Sequence, residues 1–156
     1  DEVDEGTLGT PTTTRVIDIT DLANPFQTAI FSNGNTARDH NLYTKGDLIF
    51  ESNYRSGLRV FDASDPVAPA EIAYFDTYPT DNIAAYNGLW SVYPYFQSGT
   101  IIGSDLERGL FVWRLDQGSP VETPALSAWG AGIFLALLAL PRLRRRGARR
   151  SGNEAR

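Results

Sequence analysis

The chain has no cysteine, no methionine and a single histidine. Without cysteine there is no disulfide framework, no thiolate metal site and no cysteine nucleophile. Export is still compatible with this composition. Catalytic metal sites usually draw on two or three histidines, so one histidine does not furnish such a site alone. No Gly-x-Ser-x-Gly elbow, phosphate loop or dinucleotide fingerprint occurs, which removes the common hydrolase and nucleotide-binding signatures. Carboxylates are plentiful, but no pair stands out as glycosidic. The opening Asp1-Glu2-Val3-Asp4-Glu5 is not a signal peptide. With no methionine at position 1, Asp1 reads as a processed end or as the edge of a longer polypeptide.

The 156 residues suffice for one ordinary domain, and the 42% hydrophobic content is enough for a packed core. Aromatics at 12% and nine prolines favour strands and turns over a helical bundle. Charge is split along the chain. Residues 1–141 carry 18 acidic and 7 basic side chains, whereas residues 142–156 carry seven arginines and one glutamate. An acidic body does not suit phosphate contacts, so no nucleic-acid partner is expected. An acidic body with a basic tip suits a solvent-facing domain joined to a membrane-flanking tail.

An internal repeat dominates the body. Arg15-Val16-Ile17-Asp18-Ile19-Thr20-Asp21 aligns with Arg59-Val60-Phe61-Asp62-Ala63-Ser64-Asp65, and Pro25 with Pro69, at an offset of 44. Ser104 to Val112 aligns with Ser52 to Val60 at an offset of 52, the extra residues falling in the loop-rich stretch from Asp76 to Gly99. Short apolar runs between Gly, Pro, Asp and Ser clusters read as strands. They are Arg15–Ile19, Phe26–Phe31, Asn41–Thr44, Leu48–Asn53, Gly57–Asp62, Glu71–Phe75, Leu89–Tyr93, Thr100–Asp105 and Gly109–Leu115. Four strands in about 44 residues is the size of a propeller blade. The expected fold is all-β, a partial β-propeller of roughly two and a quarter four-stranded blades over residues 14–116. Residues 1–13 read as a disordered start or linker. A closed propeller needs at least about four blades, so further blades are expected upstream.

The C-terminal part has its own logic. Residues 117–127 read as a linker, 128–141 as an apolar helix without charge, and 142–156 as a basic tail. The helix, extended back to Pro124, is slightly short of the roughly 20 residues that cross a bilayer. Arg142, Arg144, Arg145, Arg146, Arg149 and Arg150 follow directly. The positive-inside tendency keeps them cytoplasmic and places the body outside. The competing readings are a buried core helix with a solvated tail, and an arginine arm for nucleic acid. A core helix would show a polar face, and this one shows none.

Two resemblances follow from these residues. Pro124, Leu126, Ser127, Trp129 and Gly130, followed by the apolar helix and the arginines, resemble the tripartite C-terminal sorting signals of Gram-negative bacteria. Ala125 stands where that motif usually has threonine. The repeat, with Asp39-His40-Asn41-Leu42-Tyr43, Tyr54-Arg55-Ser56-Gly57-Leu58-Arg59 and Trp90-Ser91-Val92-Tyr93-Pro94, resembles the end of the choice-of-anchor B proteins, whose repeat core reads Leu-Val-Ile-Val-Asp. That resemblance implies a propeller at the cell surface of a Gram-negative bacterium, held at least transiently in the membrane by its C-terminal helix. A sorting protease or transpeptidase is the implied partner of the tail. No enzymatic activity is implied.

Four groups of residues are candidates for function. His40, beside Asp39, reads as a metal ligand or general base, or as a structural residue bonding a neighbouring sheet's backbone. The structural reading is preferred. Asp18, Asp21, Asp62 and Asp65 recur with the repeat and read as turn formers, with calcium as the alternative. Tyr78, Tyr86 and Trp90 lie in the insertion between repeats and are candidate contacts for an extracellular protein or carbohydrate. Tyr43, Tyr54, Tyr74 and Tyr93, on or next to strands, read as packing between sheets. The leading expectation is a non-enzymatic binding or adhesion module without a cofactor. The alternative is an exported hydrolase with a metal in the propeller's central channel.

Overall fold

The computed structural model describes residues 2–116. The proposed sorting motif, membrane helix and arginine tail all lie outside the described residues. Helix α1 is Asp4–Leu8, inside the 1–13 segment. Nine strands follow: β1 Thr14–Asp18, β2 Phe26–Phe31, β3 Asn41–Lys45, β4 Leu48–Ser52, β5 Leu58–Asp62, β6 Ala70–Phe75, β7 Leu89–Tyr93, β8 Thr100–Asp105 and β9 Gly109–Arg114. They form three antiparallel sheets, β1-β2, β3-β4-β5-β6 and β7-β8-β9. The architecture is all-β. Among the described residues the sheets do not close into a barrel or ring, and no helix is long and apolar enough to cross a membrane.

The repeat is visible in the backbone. β1-β2 shifts register between Val16 and Ile17, and β5-β6 shifts between Val60 and Phe61, the aligned positions. The turns that follow match in the backbone bonds their carboxylates accept. Asp18 Oδ1 accepts from the Thr20 N–H, and Asp62 Oδ1 from the Ser64 N–H, both at 2.8 Å. Asp21 Oδ1 accepts from the Ala23 N–H at 3.0 Å, and Asp65 Oδ1 from the Val67 N–H at 3.1 Å. These donors hold the carboxyls of Asp18 and Asp62 below the usual range, and an amide bond from Asn24 does the same for Asp21. A carboxylate that closes its own turn satisfies backbone donors that would otherwise compete with the ladder.

The two central strands of the middle sheet, β4 and β5, send alternate side chains to opposite faces, and both faces are covered there. Ile49 and Phe61, paired across β4-β5, face Phe31 of the first hairpin, with the Phe31 and Phe61 rings 4.8 Å apart. Phe50 and Val60, the next pair, join Leu58 and pack against Leu89, Val92 and Ile101 of the third sheet. Every residue of β4 after Leu48 is buried for this reason.

Candidate functional site

The connection between β4 and β5 runs through Asn53-Tyr54-Arg55-Ser56-Gly57, all buried. It closes on itself through Asn53 N–H to Gly57 O, Ser56 N–H to Asn53 O and Gly57 N–H to Tyr54 O, at 3.0, 2.9 and 3.0 Å. Gly57 at φ 74° supplies the left-handed backbone that ends the turn. Tyr54 has φ 39°, the one positive value at a non-glycine among the described residues. Its backbone is held there by a reciprocal pair with β7: Tyr54 N–H to Leu89 O at 3.1 Å and Leu89 N–H to Tyr54 O at 2.9 Å. The turn is thereby locked onto the third sheet.

This lock places Tyr54 in the centre of an aromatic group. Its ring lies 5.0 Å from His40, 5.3 Å from Tyr86 and 5.7 Å from Trp90, and His40 lies 4.5 Å from Trp90. Tyr54 is 1% exposed, whereas Trp90 is 44% and Tyr86 51% exposed. The group therefore has a buried base and an open rim. Burial first, then its hydrogen bond to Glu2, pushes the Tyr54 phenol well above its ordinary value. His40 bonds a side chain instead of the expected backbone: its Nδ1 is 3.0 Å from Glu2 Oε2.

The insertion from Asp76 to Gly88 is pinned to the same turn by Arg55. Its guanidinium reaches Asn87 Oδ1 through Nε at 3.2 Å and Nη2 at 2.5 Å, bonds Asp81, and lies 4.5 Å over the Tyr78 ring. The bond from Arg55, joined by the Ile83 N–H, holds the Asp81 carboxyl below its usual range. Glu107 closes the far end, accepting from the Gly88 N–H at 2.7 Å and the Asn87 amide at 2.6 Å. Tyr78, Tyr86 and Trp90 are thus gathered round one turn. Tyr78 and Tyr86 each carry a guanidinium, that on Tyr86 being Arg38 at 4.4 Å. The strand tyrosines divide differently from expectation. Tyr54 packs between sheets, but Tyr43, Tyr74 and Tyr93 are 37%, 66% and 45% exposed, on β3, β6 and β7.

A cleft of about 300 Å³ opens where β1 meets the start of β3 and the end of β4, lined by Thr13, Thr14, Asp39, His40, Asn41, Glu51 and Asn53 among others. Neither family models nor curated proteins nor solved structures give a match to this chain. Its own residues therefore carry the functional argument. The cleft brings together Asp39 and His40, the two weak metal candidates, and adds Glu51. Among the described residues no group of three His, Asp or Glu is placed to hold a metal ion. Asp18, Asp21, Asp62 and Asp65 are spent on their own turns. Sequence reasoning did not single out Glu2, Arg38 or Glu51. Only the position of Glu51 in an apolar strand, Leu-Ile-Phe-Glu-Ser, hints that its carboxyl is enclosed.

Glu51 is 3% exposed and accepts from Thr14 Oγ1 at 2.7 Å and Asn53 Nδ2 at 2.9 Å. Burial outweighs these two bonds and pushes its carboxyl above the usual range. The folded chain then binds this proton more tightly than the unfolded chain. The stabilisation is fully present below the ordinary value of 4.5 and is lost as pH rises through the raised one. The melting temperature of the wild type relative to Glu51→Gln is accordingly expected to fall over the range of pH from about 4 upward. A difference that stays constant over that range would show a carboxyl titrating normally.

Proposed function

We propose that the chain is part of a β-propeller displayed on the surface of a Gram-negative bacterium, and that it binds an extracellular protein or carbohydrate without catalysing a reaction. The observation that carries this reading is the open aromatic rim. Trp90 and Tyr86 are large, half-exposed rings on a buried and hydrogen-bonded base, an arrangement that offers contact area at low ordering cost. The propeller reading is supported by the meandering sheets, their matching bulges and turns, and their face-to-face packing. A hairpin at one end and a three-stranded sheet at the other leave pairing positions that neighbouring blades would fill. Display is supported by the order of short motif, apolar run and arginine cluster over residues 124–150.

The test is cellular. The intact gene product carries an epitope tag in the propeller and is expressed with and without residues 124–156. The tag is expected at the cell surface only when the tail is present. Cells displaying the Tyr86→Ala/Trp90→Ala variant should show the same surface signal but lose adhesion to immobilised matrix proteins and glycans by roughly 10-fold or more. A tag that stays in the cytosol either way, or adhesion indifferent to the two rings, overturns the reading.

A further inference from the structure

The buried base of the aromatic group is in contact with a segment of the chain itself, the stretch that precedes and forms α1. Glu2 precedes α1, and its Oε2 accepts from Tyr54 Oη at 3.1 Å while lying 3.0 Å from His40 Nδ1. Its main-chain carbonyl accepts from Arg38 Nη1. Arg38 is itself fixed, donating from Nε to Ala84 O at 3.1 Å and lying flat over Tyr86. One residue is therefore read at two points, its peptide carbonyl and its side-chain carboxylate. A free small anion has no peptide carbonyl to offer, so this double reading is that of a peptide.

The three reading groups come from separate places: Arg38 and His40 from the loop before β3, and Tyr54 from the turn locked onto β7. Each group also has contacts outside that segment: Arg38 bonds Ala84 O and lies over Tyr86, and the His40 and Tyr54 rings pack against each other and against Trp90. That segment has little helical support of its own, although Glu5 within it is buried. α1 has five residues and no side-chain cap at its start, and so short a helix is not stable alone. Gly6 lies so close to Arg38 that any Cβ there would meet the guanidinium. The body as a whole is acidic, so attraction for a carboxylate is local to this spot.

We propose that Arg38, His40 and Tyr54 form a binding site for a glutamyl residue in an acidic peptide segment of a partner protein, and that residues 2–8 occupy it in cis until that partner displaces them. The inference rests on the reading of the rim as a ligand surface and names its ligand class. Trp90 and Tyr86, exposed beside the bound carboxylate, give the partner's flanking residues an apolar surface to cover.

The experiment uses the full chain with Glu2→Lys, whose ammonium group would face Arg38 and His40 and so disfavours the in-cis contact. Binding of a fluorescent peptide, acetyl-Asp-Glu-Val-Asp-Glu-Gly-amide, is followed by anisotropy. The variant is expected to bind at least roughly 10-fold tighter than the wild type, whose site is filled. Glutamine at the peptide's second position should weaken binding by roughly 10-fold or more, since hydrogen bonds to a charged group are lost. Adding His40→Gln and Tyr54→Phe to the variant should do the same. The proposal is overturned if the folded variant binds no peptide, if the glutamine peptide binds equally, or if free galacturonate competes as well as the peptide. Should Glu2→Lys not melt cooperatively, Glu2→Gln is measured by the same criteria. If wild-type cells adhere through Trp90 and Tyr86 while no peptide binds, the glutamyl site alone falls and the rim reading stands.

Discussion

Gly57→Ala is expected to cost more than about 4 kcal/mol, whereas Gly109→Ala, at the equivalent place one repeat later, should cost about 1–2 kcal/mol. The two glycines share a left-handed backbone, with φ 74° and 80°. An L side chain is strained there in both cases, and that shared strain sets the smaller figure. They differ in what a Cβ would meet. At Gly109 there is nothing within 4 Å. At Gly57 it would run into Phe75 O, with Thr77 N at 2.8 Å and Asp76 Cα at 3.0 Å. These are backbone atoms and cannot swing aside as a side chain can. The strand β6 would have to part from the turn, opening the buried segment that holds Tyr54. Denaturant unfolding of the two variants decides the matter. Equal losses would mean that φ alone governs both positions and that the close approach at Gly57 is absent in solution.

Tyr54→Ala should cost about 3–5 kcal/mol, the usual penalty for emptying a large aromatic site, while Tyr54→Phe should cost about 1–2 kcal/mol. The ring fills the space under His40, Tyr86 and Trp90 and touches all three. Its hydroxyl adds one hydrogen bond, to Glu2. Alanine removes the support of the whole rim, and the tryptophan emission of the folded variant should shift to the red as Trp90 meets more water. Phenylalanine keeps the ring and loses only the hydrogen bond, so its emission should stay close to that of the wild type. A Tyr54→Ala chain as stable as Tyr54→Phe would show that the rim rests on the loop from Asp76 to Gly88 and not on this ring.

The strands were legible for physical reasons. In β4 and β5, apolar runs between turn residues marked strands, and strands are there; that both are covered on both faces came only with the packing of the neighbouring sheets. Asp18, Asp21, Asp62 and Asp65 punctuated the chain because each closes a turn with its own neighbours, an interaction contained within three residues. The site was less legible. Glu2 reaches Arg38, His40 and Tyr54, partners 36, 38 and 52 positions away, and nothing local marks it among Asp1, Asp4 and Glu5. α1 is too short, and too mixed in composition, for periodicity to announce it. Tyr43, Tyr74 and Tyr93 were misread because a tyrosine on a strand looks the same whether its face is covered or open. Tyr78 and Tyr86 were found by their place in an insertion, whereas Trp90, assigned to the same insertion, stands on β7; the arginines lying on Tyr78 and Tyr86 were not foreseen.

The reciprocal pair between Tyr54 and Leu89 has a consequence for cooperativity. Local opening usually follows the edges of compact units, and here the boundary between the second and third sheets is crossed by two backbone hydrogen bonds from one turn. The two sheets are therefore expected to open together, and the rim with them. A partner that holds Trp90 in place adds its binding free energy to the closed state of that whole unit. Occupancy at the surface would then be felt in the protection of the Leu89 amide, in the dry centre of the molecule.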